Sequence, residues 1–178
     1  MDDAAITQLL KDHGGSQSIK DYKFFHEHCF PHVPNDLWVE IGSRFGTSTY
    51  IFGTELKKRG GTLYCYEPYP TIAWLWNMTR AGLQDTVVLI EEESPPKTSK
   101  LPSPPGFAFI DGDHRYWGVR RDFLFWWPKM APGGILAMHD YEPNTPKHGV
   151  IRVVKEMGVE PFAEYCSGVR GIIAFRKE

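Results

Sequence analysis

Two short stretches place acid and imidazole directly after apolar runs. Phe107-Ala-Phe-Ile110 is followed by Asp111-Gly-Asp113-His114, and Ile135-Leu-Ala-Met138 by His139-Asp140. Such runs have the length and composition of strands buried on both faces of a parallel sheet, which puts these side chains at the carboxyl ends of two strands. Open α/β sheets bind their ligands outside those ends. Carboxylates from neighbouring strand ends can converge on one divalent cation, and a cation held by Asp111, His139 and Asp140 could bind a hydroxyl group and lower its pKa. The alternative is a hydrogen-bonded structural pair of His139 with Asp140. His114 has an ordinary pKa suited to taking a proton near neutral pH. Asp113 reads as a helix cap, a cofactor neighbour or a partner of His114.

The elements that must position these groups follow from the pattern. Leu37 to Ile41 is a short apolar strand, Gly42-Ser-Arg-Phe-Gly46 a turn, and the helix after it ends in Lys57-Lys-Arg59 before Gly60-Gly61. Leu63 to Glu67 is a second strand, 71–82 a helix and Thr86 to Ile90 a third strand. Where the next crossover helix belongs, five prolines fall between Pro95 and Pro105, so this connection is extended or irregular and leaves one face of the sheet thinly covered. After the fourth strand (Phe107 to Asp111), Tyr116 to Trp127 is a helix with Val119, Phe123, Trp126 and Trp127 inward and Arg120 and Arg121 outward. A fifth strand (Ile135 to His139), a helix over 149–157 and a terminal pair of strands joined by a tight Ser167-Gly168 turn complete the pattern. Helical spacing over 4–12 and 20–30, linked by Gly14-Gly15-Ser16, makes residues 1–34 an amino-terminal extension or lid to a domain over 35–178.

A chain of 178 residues, 42% hydrophobic and 14% aromatic, suits one domain with a full core and excludes disorder. The net charge of −2 gives no drive toward nucleic acid or an anionic membrane, and no apolar run has bilayer length. The expected partner is a small molecule and the expected location cytoplasmic. Cys29, Cys65 and Cys166 have no metal or disulfide spacing and read as reduced core residues.

Val39-Glu-Ile-Gly-Ser-Arg-Phe-Gly-Thr-Ser48, Glu67 at the end of the second strand, Ile110-Asp-Gly-Asp-His114 and Pro132-Gly-Gly-x4-His139-Asp140 together resemble the class I S-adenosylmethionine-dependent methyltransferases. More narrowly the chain is similar to the small metal-assisted O-methyltransferases of the catechol, macrolide-sugar and cephalosporin-hydroxylase-associated types. The resemblance implies a Rossmann-like, doubly wound, seven-stranded sheet, mostly parallel, whose terminal hairpin strand inserts antiparallel. It implies that Glu40, Gly42, Ser43, Gly46, Thr47 and Ser48 hold the methionine portion of the cofactor, that Glu67 accepts the ribose hydroxyls, that Glu93 and Ser94 flank the adenine, and that Asp111 also borders the cofactor. It makes Asp111, His139 and Asp140 ligands of magnesium or a softer metal such as manganese, and His114 the general base. His139 departs from the family's oxygen donors, so either the metal is softer or His139 orients Asp140 from behind. A nicotinamide-binding oxidoreductase conflicts with the G-x-x-x-G spacing and the terminal hairpin. A cofactor-binding scaffold without catalysis would have no need of Asp111, His114 and Asp140.

Overall fold

The computed structural model describes residues 3–12, 17–98, 101–144, 149–167 and 170–178. The Gly14-Gly15-Ser16 link, His13, part of the proline run and the tip of the Ser167-Gly168 turn lie outside them. The chain begins with helices α1 (Asp3–Asp12) and α2 (Ile19–Phe24), and α2 runs on through a π turn (Phe25–Cys29) and a 3-10 turn (Phe30–His32). Ser18 starts α2 with a capping box, its hydroxyl accepting from the Asp21 N–H while the Asp21 carboxylate accepts from the Ser18 N–H. Strand β1 (Leu37–Ile41), helix α3 (Thr47–Arg59), strand β2 (Thr62–Tyr66), helix α4 (Ile72–Arg80) and strand β3 (Val87–Ile90) form two crossover units. Then come β4 (Phe107–Ile110), α5 (Tyr116–Trp126), β5 (Ile135–Met138), α6 (Gly149–Met157), β6 (Ala163–Cys166) and β7 (Gly171–Arg176).

The sheet order is β3-β2-β1-β4-β5-β7-β6, parallel from β3 to β5 and antiparallel for β5 with β7 and β7 with β6. The order reverses between β1 and β4, and the crevice at such a switch point is where ligands bind. One face buries an aromatic cluster in which Phe25 and Phe30 from the amino-terminal segment pack on Trp38, Phe52, Phe107 and Phe109. Burying an aromatic side chain contributes roughly 1.5–3 kcal/mol, so residues 25–30 are fastened to the sheet rather than laid loosely over it. The other face holds Val39, Ile110, Phe123, Trp126, Met138 and Phe175 beneath α5 and α6.

No helix occurs between β3 and β4 among the described residues, and Val88, on the face a helix there would cover, is 41% exposed. Cys29 and Cys65 are core residues. Cys166 is not: it lies at the end of β6, the outermost strand, whose residues alternate toward solvent, and is exposed. Among the described residues no helix is long and apolar enough to cross a membrane.

Candidate active site

Asp111 and His139 each follow the last residue of a strand, and the β4–β5 pairing sets Ile110 beside Met138. The register therefore brings their side chains, with that of Asp140, to one place: one donor atom from each lies within 4.8 Å of the others. His139 is buried, and its Nδ1 is 3.3 Å from Asp111 Oδ1 and 3.3 Å from Asp140 Oδ1. Its Nε2 faces Asp21 Oδ1 at 3.8 Å, too long for a hydrogen bond. Burial opposes charge on this imidazole, but the carboxylates of Asp111, Asp140 and Asp21 overcome it and push its pKa up to about 12. Asp140 has φ +56°, a conformation Asp tolerates better than most residues, and this turn carries its carboxylate back toward the cavity.

His114 Nδ1 is 2.7 Å from Asp140 Oδ2 while the ring stays half exposed. That bond fixes Nδ1 as the donor and leaves Nε2 as the free acceptor. The hydrogen bond to Asp140 raises the His114 pKa above its ordinary value against the opposing effect of burial. Asp113, by contrast, turns to Arg115, accepting from its backbone N–H at 3.0 Å and from its guanidinium at 2.8 Å. It neither caps α5 nor partners His114. The loop carrying His114 is held by α6, since Gly149 lies against the backbone of His114, Arg115 and Tyr116 where a Cβ would overlap.

Two adjoining cavities of about 450 and 420 Å³ share Gly42, Arg44, Asp111 and His114. The first is also lined by Gln17, Ser43, Phe45, Thr47, Ser48, His139, Asp140 and Arg170. Glu67, Glu93, Ser94 and Asp122 line the second. The Ser43 hydroxyl is buried and has no partner among the described residues. A buried polar group in that condition fits a ligand's polar end, here a methionine carboxylate or amine. Glu67 is engaged with the glycine turn: Oε2 accepts the N–H groups of Ser43 (3.1 Å) and Arg44 (2.9 Å), and Oε1 that of Tyr69 (3.0 Å). It thus holds the turn, in which Arg44 has φ +44°, with one of about four carboxylate lone pairs, on Oε1, remaining for a ligand hydroxyl.

Gly46 and Glu40 fall elsewhere. Gly46 packs toward Trp74 and Met78 of α4, and neither it nor Glu40 lines a cavity. Glu40 is fully buried and accepts from the hydroxyls of Ser48 and Thr49 and, at 3.1 Å, from the Cys65 thiol. Burial pushes it up to about 7 against those donors. Ser48, whose hydroxyl it holds, does line the first cavity. Ser94 is buried with its hydroxyl donated to Asp122 Oδ1 at 2.7 Å and accepting from Trp126 Nε1 at 3.0 Å.

Asp122, Gln17 and Arg170 were not expected at the site. Gln17 Nε2 donates to Asp111 Oδ2 at 3.1 Å, and Arg170 Nε is 3.6 Å from Asp140 Oδ1. Asp122 is 1% exposed, and burial pushes its carboxyl up to about 7. A carboxyl whose folded pKa lies above its unfolded one costs stability as pH rises from about 4 to about 7, because only the folded state still holds the proton. The isosteric Asp122→Asn escapes that loss. Thermal midpoints should show the variant gaining on wild type by a few degrees between pH 5 and pH 8. An unchanged difference would mean that the carboxyl ionises freely in the fold.

A mostly parallel sheet with β7 inserted antiparallel, and a ligand cleft over its strand ends, defines the α/β methyltransferase class of fold. A family model described as a methyltransferase domain matches residues 39–141, more than half of the chain, and the protein belongs to that family as an S-adenosylmethionine-dependent methyltransferase. Among similar solved structures, an O-methyltransferase from Bacillus cereus in complex with SAH has a TM-score of 0.74 at 19% identity, covering 99% of this chain and 92% of its own. The O-methyltransferase TomG from Streptomyces achromogenes, in complex with SAM, has 0.66 at 16% identity, covering 98% and 89%. Precorrin-6y C5,15-methyltransferase from Geobacter metallireducens has 0.70 at 12% identity, covering 91% and 90%. These likenesses show a common fold.

Glu67→Ala tests the expected ribose contact, and it also frees the two N–H groups of the glycine turn that Oε2 accepts. Loss of a charged hydrogen-bonding partner costs about 1.5–3 kcal/mol, so S-adenosylhomocysteine should bind about ten- to a hundredfold more weakly by calorimetry. Unchanged affinity in the folded variant would remove Glu67 from the cofactor site.

Proposed function

We propose that the protein methylates a hydroxyl oxygen of a small polar acceptor with the help of a divalent cation. The acceptor is a sugar, a catechol or another hydroxylated metabolite rather than nucleic acid or lipid. The observation that carries this reading is the convergence of His114, Asp140, His139 and Asp111 where the two cavities meet.

S-adenosylmethionine supplies an electrophilic methyl group. The chain's own task is placement and proton removal. Ser43, Thr47 and Ser48 receive the methionine end, Glu67 the ribose, and the walls at Glu93, Ser94 and Asp122 the base. His114 Nε2 takes the acceptor's proton, and the positive charge that develops on the ring is met by Asp140. Two carboxylates and a ring nitrogen converge there, and His139 would bind through Nδ1 once a cation displaces the proton that Asp111 and Asp140 otherwise keep on the ring. A cation held there would draw the hydroxyl's pKa down. The nitrogen donor favours manganese or another softer ion over magnesium.

The test is a screen of hydroxylated acceptors with labelled S-adenosylmethionine, with and without exhaustive chelation, and with products identified by mass spectrometry. The expected result is an O-methylated product whose formation stops on chelation and returns with manganese. Full rate after chelation would remove the cation from the mechanism, and methylation confined to carbon or nitrogen would refute the reading.

A further inference from the structure

The acids among the residues lining the first cavity are Asp111 and Asp140, and both are already faced by other groups: Asp111 by His139 and the Gln17 amide, Asp140 by His139 and His114. Two guanidinium groups share that wall, from Arg44 and Arg170. Arg44 borders both cavities and so lies where a cofactor spans them, and its guanidinium rests over the Phe45 ring at 4.8 Å. Arg170 borders only the first cavity. Among the described residues its guanidinium meets one partner, Asp140 at 3.6 Å, and its side chain is 58% exposed, so most of its planar donor fork is turned to the cavity and solvent. Such a fork matches a carboxylate or phosphate in two parallel hydrogen bonds. Adding a sulfonium cofactor or a divalent cation makes the cavity more positive still.

Resting on the O-methylation reading above, we infer that the acceptor is anionic: it carries an oxyanion, held by Arg170, close to the hydroxyl that is methylated. Closeness follows from the shared partner. His114 and Arg170 both reach the carboxylate of Asp140, at 2.7 and 3.6 Å, so the groups they would engage stand only a few bonds apart on one small molecule. A hydroxy acid with neighbouring hydroxyl and carboxylate meets that description, and a sugar phosphate is the alternative source of the same chemistry.

The experiment uses matched pairs: 2,3-dihydroxybenzoate against catechol, glucuronate against glucose, and glucose 6-phosphate against glucose. Binding to the complex of the protein with S-adenosylhomocysteine is measured by calorimetry, and methyl transfer is followed separately. An anionic member should bind about ten- to a hundredfold more tightly than its neutral partner, the range expected for a charged hydrogen-bonding pair. The first pair against the third tells carboxylate from phosphate. Arg170→Gln should bring the ratio near one, Arg170→Lys should retain part of it, and neither should alter S-adenosylhomocysteine affinity. Equal affinities within every pair, no binding by any anionic member, or a ratio that survives Arg170→Gln would overturn the proposal. So would weaker S-adenosylhomocysteine binding in Arg170→Gln, since Arg170 would then hold the cofactor's own carboxylate. Arg170-dependent preference with the methyl carried only to carbon or nitrogen keeps the anion site at Arg170 and removes the O-methylation reading. Transfer to oxygen without preference does the reverse.

Discussion

Turnover should fall by about a hundredfold or more in His114→Ala, and comparably in Asp140→Asn, with cofactor affinity preserved in both. Positioned general bases contribute on that order. An aliphatic or sugar hydroxyl is almost wholly protonated at neutral pH, so removing the proton acceptor leaves the acceptor oxygen a poor nucleophile. Asp140→Asn reaches the same step through two partners: it removes the charge that orients and stabilises the His114 ring at 2.7 Å, and it removes one carboxylate from the cation site. The substitution is a clean one, because asparagine keeps the shape of aspartate and is at ease at the φ of +56° found there. A pH profile adds an independent readout. The hydrogen bond His114 donates to Asp140 raises its pKa above the ordinary imidazole value, so the neutral, active ring accumulates, and turnover rises, at higher pH than for a free imidazole. In Asp140→Asn that limb should move toward lower pH. Full turnover in both folded variants would leave the strand-end cluster a structural one.

The strand ends were legible because their signal is local. Four apolar residues followed by Asp111, and four followed by His139 and Asp140, state both the element and the place where it stops. The lack of a crossover helix among the described residues was equally plain in the prolines. Glu40 shows where linear nearness falls short as a guide to contact. It stands two residues before Gly42, yet strand alternation puts it on the same face as Trp38, over α3, where it meets Ser48 and Thr49 instead of the cavity. Asp122 left a readable trace, an acid among the inward positions Val119, Phe123 and Trp126 of α5, and an acid on an apolar face needs a reason. Gln17 and Arg170 left none. Gln17 reaches Asp111 across ninety-four positions of sequence, and Arg170 reaches Asp140 because β7 turns back beside β5. Such contacts are set by the docking of whole elements, which neither spacing nor composition encodes.

Gly42→Ala should be the most damaging single substitution at the site. Gly42 has φ +80°, where a Cβ is strained, and that Cβ would stand 2.5 Å from Gly112 Cα and 2.7 Å from both Gly112 N and Asp111 O. All three are backbone atoms, so relief requires the ends of β1 and β4 to part. The pairing of Ile41 with Ile110 resists this, as does the Asp111 N–H bonded to Ile41 O at 2.8 Å. Left-handed strain costs about 1–2 kcal/mol and a core overlap typically about 1–3 kcal/mol more. For a chain of this size that lowers the thermal midpoint by roughly 5–15 °C. Displacing Asp111 and the glycine turn together should also weaken S-adenosylhomocysteine by more than tenfold and turnover further. Gly60→Ala separates the two contributions, because Gly60 has a similar φ of +74° with nothing within 4 Å of its Cβ position. It carries the backbone strain alone, at the far end of α3, and should keep cofactor affinity. The excess loss in Gly42→Ala then measures how rigidly β1 and β4 hold their loops together. If the two variants melt alike and bind alike, the loops yield freely, and the close approach of Gly42 to Gly112 is not what keeps Asp111 in place.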